Sequence, residues 1–157
     1  MAGFSIIEVI EQAVQTEKLG ADFYSDMAGK FEKKKEVKKL FETLAAKELV
    51  HELIFSRLKE RIRDEGIEGW EEVSRYLRAI VESAFFLGKG KSLTSVKNIK
   101  SVMEAVDYAL GFEKETLLYY AGIRDSVKGK KIIDEIIKEE RSHIIWLSKF
   151  RKTLSKS

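Results

Sequence analysis

Cysteine and proline are both absent from this sequence of 157 residues. Without cysteine the chain can form no disulfide, no zinc site built on thiolates and no iron–sulfur cluster. Any metal ion that it binds must therefore be held by oxygen and nitrogen ligands. Proline disrupts helices more than any other residue, so its absence suits long, uninterrupted helices.

Long apolar runs and a strong charge bias are missing as well. No apolar stretch approaches the length that spans a membrane, and residues 1–10 lack the basic flank of a signal sequence. We therefore expect a cytoplasmic protein with no membrane partner. The 29 basic and 26 acidic residues are largely interspersed and leave a formal net charge of only +3, so we expect no nucleic acid partner.

The composition and the hydrophobic pattern together predict one all-α domain over residues 1–157. Hydrophobic residues make up 44% of the chain and charged residues 35%, as in amphipathic helices. Apolar residues recur at three- and four-residue spacing, which predicts long helices at about 5–29, 33–64, 101–126 and 130–154. A further helix is predicted at about 70–87 in the crossover, followed by a loop over 88–100.

The ends of these helices carry recognisable signals. Ser5 with Glu8, and Ser101 with Glu104, have the spacing of a capping box at a helix start. The apolar stripes of the first and last long helices are predicted to begin at Ile7 and Ile132, respectively.

Ionisable side chains interrupt the apolar stripe of every long helix. Two of the interruptions are Glu-x-x-His motifs, and these contain both histidines of the chain. Residues three apart lie on one side of a helix, so each motif can direct an oxygen and a nitrogen toward one point. The interrupting residues are Glu17, Glu48, His51, Glu113, Glu140 and His143.

The chain contains an internal repeat. A shift of 96 residues places Glu17 and Tyr24 on Glu113 and Tyr120, and a shift of 92 residues places the first Glu-x-x-His motif on the second. The sequence therefore predicts two copies of an antiparallel helical hairpin, which pack as a four-helix bundle about an approximate two-fold axis. That axis brings all six interrupting residues to one level of the core.

The electrostatics of these six residues predicts a metal site. Four carboxylates in a core repel one another and lose hydration at a cost of several kcal/mol each, unless they are protonated or neutralised. Two divalent cations cancel four negative charges, and carboxylate with imidazole suits iron or manganese. We therefore predict two iron ions, with manganese as the alternative, bound by the six residues. The competing interpretation is a metal-free bundle whose acids form surface salt bridges or whose histidines are satisfied in the core.

Predictions can also be made for several other residues near the six. Tyr24 and Tyr120 lie on the same faces as the ligands, where hydrogen bonding to the ligands and plain core packing are equally compatible with the sequence. Glu11 and Asp107 are predicted to be solvated. Trp146, like Trp70, is predicted to pack. Glu52 and Glu115 point off the stripes and are excluded from the site.

The six residues, with the motifs Glu48-Leu-Val-His51 and Glu140-Arg-Ser-His143, resemble the ferritin-like di-iron carboxylate superfamily and most closely its rubrerythrin branch. The resemblance extends from Ser5 to about Phe150. It implies a ferritin-like bundle in which Glu48 and Glu140 bridge the two metals. It also implies that Glu17 and Glu113 each bind one metal terminally, and that each histidine completes the shell of one ion.

The sequence departs from that branch in two ways, and it also differs from a bacterioferritin-like storage cage. Rubrerythrins proper carry a rubredoxin domain with four cysteines, and a further carboxylate where this chain has Thr116. An external electron donor, for which a rubredoxin-like protein is a candidate, is therefore expected. No haem is expected, because Leu49 stands where a bacterioferritin-like cage would supply methionine. The long crossover with its extra helix also differs from such a storage cage.

These features favour a redox enzyme in which the metal pair reacts with peroxide or dioxygen. The alternatives are iron oxidation for storage, an oxygenase for an organic substrate, and a metal-free interaction module. A homodimer is a candidate assembly.

Overall fold

The computed structural model describes residues 5–61, 70–83, 98–125 and 130–156, which form five α-helices. In chain order these are α1 (Ile6–Lys30), α2 (Lys35–Arg61), α3 (Trp70–Ser83), α4 (Val102–Arg124) and α5 (Lys130–Ser155). The predicted all-α class is confirmed. No helix in these ranges is both long enough and apolar enough to cross a membrane.

The predicted helix boundaries agree with the structure to within about two residues wherever they can be compared. The second helix begins at Lys35 instead of residue 33, because residues 31–34 form the turn that follows α1. In that turn the Lys34 amide donates to the Phe31 carbonyl at 2.9 Å. The predicted helix residues 62–64, 84–87 and 126, and the loop residues 88–97, lie outside the described residues.

The two predicted capping boxes differ in detail. At the start of α1, the Ser5 hydroxyl accepts from the Glu8 amide at 3.1 Å and the Glu8 carboxylate accepts from the Ser5 amide at 3.4 Å. At the start of α4, the Ser101 hydroxyl accepts from the Glu104 amide at 3.1 Å, as expected. The Glu104 carboxylate instead accepts from the Lys100 amide at 2.7 Å, so the second box is only half formed.

The long helices pack as two hairpins, α1 with α2 and α4 with α5. Ion pairs between Glu11 and Lys59 and between Lys18 and Glu52 run in opposite chain directions, which makes α1 and α2 antiparallel. The hairpins meet through α1 and α4, and α3 packs against α4. This is the predicted bundle with its crossover helix.

The core fills the space between the hairpins. Two predictions about the residues at its edge are wrong. Ile7 and Ile132 are 41% and 36% exposed, so neither begins an apolar stripe. Ile6 and Ile133 are buried in their place. An α-helix has 3.6 residues per turn, so a buried stripe is wider than one residue and its edge cannot be fixed by spacing alone.

Gly122 on α4 allows the crossover helix to approach closely. A Cβ atom at this position would lie 2.5 Å from Leu77 Cδ2 and 3.3 Å from Tyr76 Cε1, both on α3. Leu77 is fully buried, so its side chain has little room to move away.

We expect Gly122→Val to lower the free energy of unfolding by about 1–3 kcal/mol, because overpacking a core contact costs that much. Chemical denaturation measures the change. The matched control is Gly29→Val on α1, where a new Cβ would have no neighbour within 4 Å. An equal loss in both variants would mean that the α3 contact is not the cause.

Candidate metal centre

All six predicted ligands lie together in the core. The four long helices contribute them and α3, in its described residues, contributes none. Each side chain is buried, with at most 1% of its surface exposed. They are Glu17 on α1, Glu48 and His51 on α2, Glu113 on α4, and Glu140 and His143 on α5.

The six side chains form two overlapping groups that could each hold an ion. Glu17 and His51 belong to one group, Glu113 and His143 to the other, and Glu48 and Glu140 to both. Within each group the potential ligand atoms lie within 4.8 Å of one another. Each group thus has two carboxylates in common with the other group, and one glutamate and one histidine of its own. This is the geometry expected for two neighbouring ions that share bridging ligands.

Glu140 lies between the two imidazoles. Its Oε1 is 2.8 Å from His51 Nδ1, and its Oε2 is 3.2 Å from His143 Nδ1. The rings stack with centroids 6.0 Å apart. His143 Nδ1 also lies 3.4 Å from Glu113 Oε1. Each histidine therefore turns Nδ1 toward the cluster and Nε2 away from it.

Two tyrosines hold the carboxylates that lie in only one group. The Tyr24 hydroxyl, on α1, donates to Glu113 Oε1 on α4 at 2.6 Å. The Tyr120 hydroxyl, on α4, donates to Glu17 Oε1 on α1. The two bonds cross between the hairpins and follow the 96-residue repeat. The sequence left two interpretations open for these tyrosines. In the structure both are hydrogen-bonded to carboxylates of the cluster.

The polar atoms that remain without partners indicate what the cluster lacks. Seven buried side-chain nitrogen and oxygen atoms have no hydrogen-bond partner in the described parts of the chain, and all seven belong to this cluster. They include both oxygens of Glu48 and both ring nitrogens of His143. A buried polar atom without a partner costs about 1–3 kcal/mol. Cations within the cluster would satisfy the carboxylate oxygens and His143 Nδ1, so the donor set fits a pair of metal ions, whereas His143 Nε2 faces away from them.

Without metal, the cluster favours bound protons. Burial and the nearby Glu140 carboxylate raise the pKa of Glu48 well above its ordinary value, and they raise the pKa of Glu113 to about 8. Burial opposes protonation of the histidines and so lowers their pKa, but the carboxylates close to each ring outweigh it. The pKa of His51 rises to about 11 through Glu140 and Glu17, and that of His143 to about 9 through Glu113 and Glu140.

Gly20 and Thr116 are related by the 96-residue repeat, and both lie near the ligands. A Cβ at Gly20 would lie 2.8 Å from Phe112 Cε1 and 3.2 Å from Glu48 Oε2, so glycine allows Glu48 to approach α1. The same place in α4 is held by Thr116, which is buried. Its hydroxyl donates to the Phe112 carbonyl at 2.7 Å and so is used within its own helix.

One residue at the site was missed by the sequence analysis. Glu139 Oε2 lies 2.8 Å from His51 Nε2, although the Glu139 side chain is 45% exposed. It lies off the apolar stripe, and the 92-residue shift pairs it with Lys47, so neither pattern pointed to it. The available signal was chemical, because a histidine that binds metal usually donates its other ring nitrogen to a carboxylate or carbonyl.

Glu11, Asp107 and Trp146 are not among the clustered residues. Glu11 pairs with Lys59 at 2.6 Å, and Asp107 pairs with Arg151 at 2.6 Å, all on the surface. Trp146 is 39% exposed, and its ring lies 5.5 Å from that of His143.

We expect the metal-free protein to lose stability as the pH rises from about 6.5 to 9. Glu113 and both histidines have higher pKa values in the folded chain than in the unfolded chain, so the folded state holds more protons over this interval. Thermal unfolding with a chelator present, at several pH values, measures the effect. Glu113→Gln should show a weaker dependence on pH. A melting temperature that increases with pH would contradict this description of the cluster.

Comparison with known proteins identifies the fold and the family. The chain resembles a crystal structure from Thermotoga maritima, described as a "putative ferritin-like diiron-carboxylate protein", with a TM-score of 0.71, 22% sequence identity and 97% coverage of each chain. A comparison with curated proteins found no match. The family model described as Rubrerythrin matches residues 8–143, a range that includes all six clustered residues. The chain therefore belongs to the rubrerythrin family.

Proposed function

We propose that the six residues bind two iron ions, and that the protein is an oxidoreductase that reacts with peroxide or dioxygen. Manganese is the alternative metal. The observation that carries the proposal is that five carboxylate oxygens and His143 Nδ1 are buried without hydrogen-bond partners in one cluster. The rubrerythrin family membership supports the same interpretation.

The division of the ligands supports a pair of ions in preference to one. Glu48 and Glu140 belong to both potential ligand groups and can bridge, whereas Glu17 and Glu113 each belong to one. When bound, two redox-active ions held at one place supply a two-electron change. The protein contributes their spacing, through carboxylates fixed on four different helices.

The two tyrosines hold the terminal carboxylates in place. Burial, followed by the nearby Glu113 carboxylate, raises the pKa of Tyr24 well above its ordinary value. Burial and Glu17 do the same to the pKa of Tyr120. Both hydroxyls therefore keep their protons near neutral pH and act as fixed donors to Glu113 and Glu17. A phenol with so high a pKa is a poor proton source, so positioning is the role that these contacts favour.

Electrons must come from a centre outside these 157 residues. The sequence contains no cysteine and therefore no iron–sulfur or rubredoxin-type centre within these residues. A small redox protein, for which a rubredoxin-like partner is a candidate, would return the ions to the reduced state after each reaction.

Metal content tests the binding part of the proposal. We expect about two ions of iron or manganese per chain in protein purified under conditions that retain metal. His51→Ala and His143→Ala should each lower the content toward one ion, because each removes a ligand from one group only. Elemental analysis together with circular dichroism separates loss of metal from loss of fold. Wild-type protein with less than about one ion per chain would contradict the proposal.

Reactivity tests the catalytic part. The protein loaded with ferrous ion should be oxidised by hydrogen peroxide or by dioxygen faster than free ferrous ion in the same buffer. Stopped-flow absorbance follows the oxidation of the metal. The variant for comparison is Glu48→Gln, which removes the charge of a carboxylate that belongs to both ligand groups and should slow the reaction. If neither oxidant reacts faster with the protein than with free ferrous ion, the enzymatic proposal is wrong.

A further inference from the structure

The two histidines of the cluster differ on the side that faces away from it. His51 Nε2 lies 2.8 Å from the Glu139 carboxylate. His143 Nε2 is buried and has no hydrogen-bond partner among the described residues. The Trp146 ring lies beside the His143 ring, with centroids 5.5 Å apart and planes inclined at 36°. One imidazole is therefore anchored by an acceptor, whereas the other is held by packing.

The difference between the two histidines arises at a position where the two halves of the internal repeat have different residues. The 92-residue shift that relates the two Glu-x-x-His motifs places Glu139 on Lys47. Lys47 is exposed, and its ammonium group can only donate hydrogen bonds. The second histidine therefore lacks the carboxylate that the repeat would otherwise provide.

We propose that Glu139 is a positioning residue that makes the two metal positions unequal. The position formed with Glu17 and His51 binds its ion more tightly and fills first, and the position formed with Glu113 and His143 fills second. This inference rests on the proposed dinuclear site and adds the order and strength of metal loading.

The physical reason is the effect of a carboxylate on the opposite nitrogen of an imidazole. When Nε2–H donates to Glu139, the proton is held on Nε2, and the lone pair of Nδ1 faces the cluster. The same bond fixes the ring orientation and makes Nδ1 a better donor. His51 is thus prepared to bind an ion, whereas the tautomer of His143 is not fixed by any such contact. Because Glu139 lies on the Nε2 side, it acts through His51 and is not itself a ligand.

Metal titration of the metal-free, full-length protein tests the inference. Cobalt(II) serves as the probe under anaerobic conditions, with its visible absorption and a competing chelator giving the dissociation constant of each step. We expect two unequal steps in the wild type. Glu139→Ala should weaken the tighter step about 10- to 100-fold and leave the weaker step unchanged, because loss of an outer partner typically costs that much affinity. Glu139→Gln keeps an acceptor without the charge, so the affinity of its tighter step should lie between those of the wild type and Glu139→Ala.

Two further variants separate positioning from a general effect of charge. Glu135→Ala removes the same charge from an exposed site one turn earlier on α5 and should leave both steps unchanged. Lys47→Glu provides a carboxylate at the place related by the repeat and should strengthen the weaker step. Thermal unfolding of each metal-free variant verifies the fold.

The possible failures are distinguishable. If the wild type binds fewer than two cobalt ions, the proposed dinuclear site fails and this inference fails with it. If two ions bind with equal affinity, the dinuclear site stands and the inference is overturned. It is also overturned if Glu139→Ala leaves the tighter step intact, weakens the weaker step, or has the same effect as Glu135→Ala.

Discussion

Four carboxylates and two imidazoles buried at one level of a helical bundle are the constraint on which this structure depends. Such groups are costly in a core unless protons or cations are shared among them. Tyr24 and Tyr120 each satisfy one carboxylate oxygen, and Glu140 lies between the two imidazoles. Five carboxylate oxygens and His143 Nδ1 remain without partners in the cluster, which is why metal ions are the simplest completion of the core.

The architecture brings these groups together through its internal repeat. Each hairpin contributes two glutamates and one histidine, and the contact between α1 and α4 joins the two sets. The tyrosine hydrogen bonds connect the hairpins at the same level, so the centre also links the halves of the bundle. The crossover helix α3 lies outside the cluster and packs on α4 where Gly122 leaves room for Leu77.

The sequence predicted the helices and the cluster because a polar residue in an apolar stripe is conspicuous, and because the repeat supplied each such residue with a counterpart. It could not predict Glu139, which is half exposed, lies off the stripe and has Lys47 as its counterpart. Nor could it show that Tyr24 contacts the other hairpin, since periodicity indicates the helix face on which a residue lies but not the residue that it contacts. The exposure of Ile7 and Ile132 shows the same limit at the edges of the stripes. The choice between iron and manganese is likewise not encoded in ligand type, because carboxylate and imidazole accept both.

We infer that cations balance the charge of the buried acids. Anomalous diffraction from crystals grown with ferrous or manganous ion tests it most directly. We expect two peaks roughly 3.5 to 4 Å apart, between Glu48 and Glu140, with one peak beside His51 and the other beside His143. A crystal without anomalous density at this level, in which the four carboxylates are separated or turned toward solvent, would contradict it.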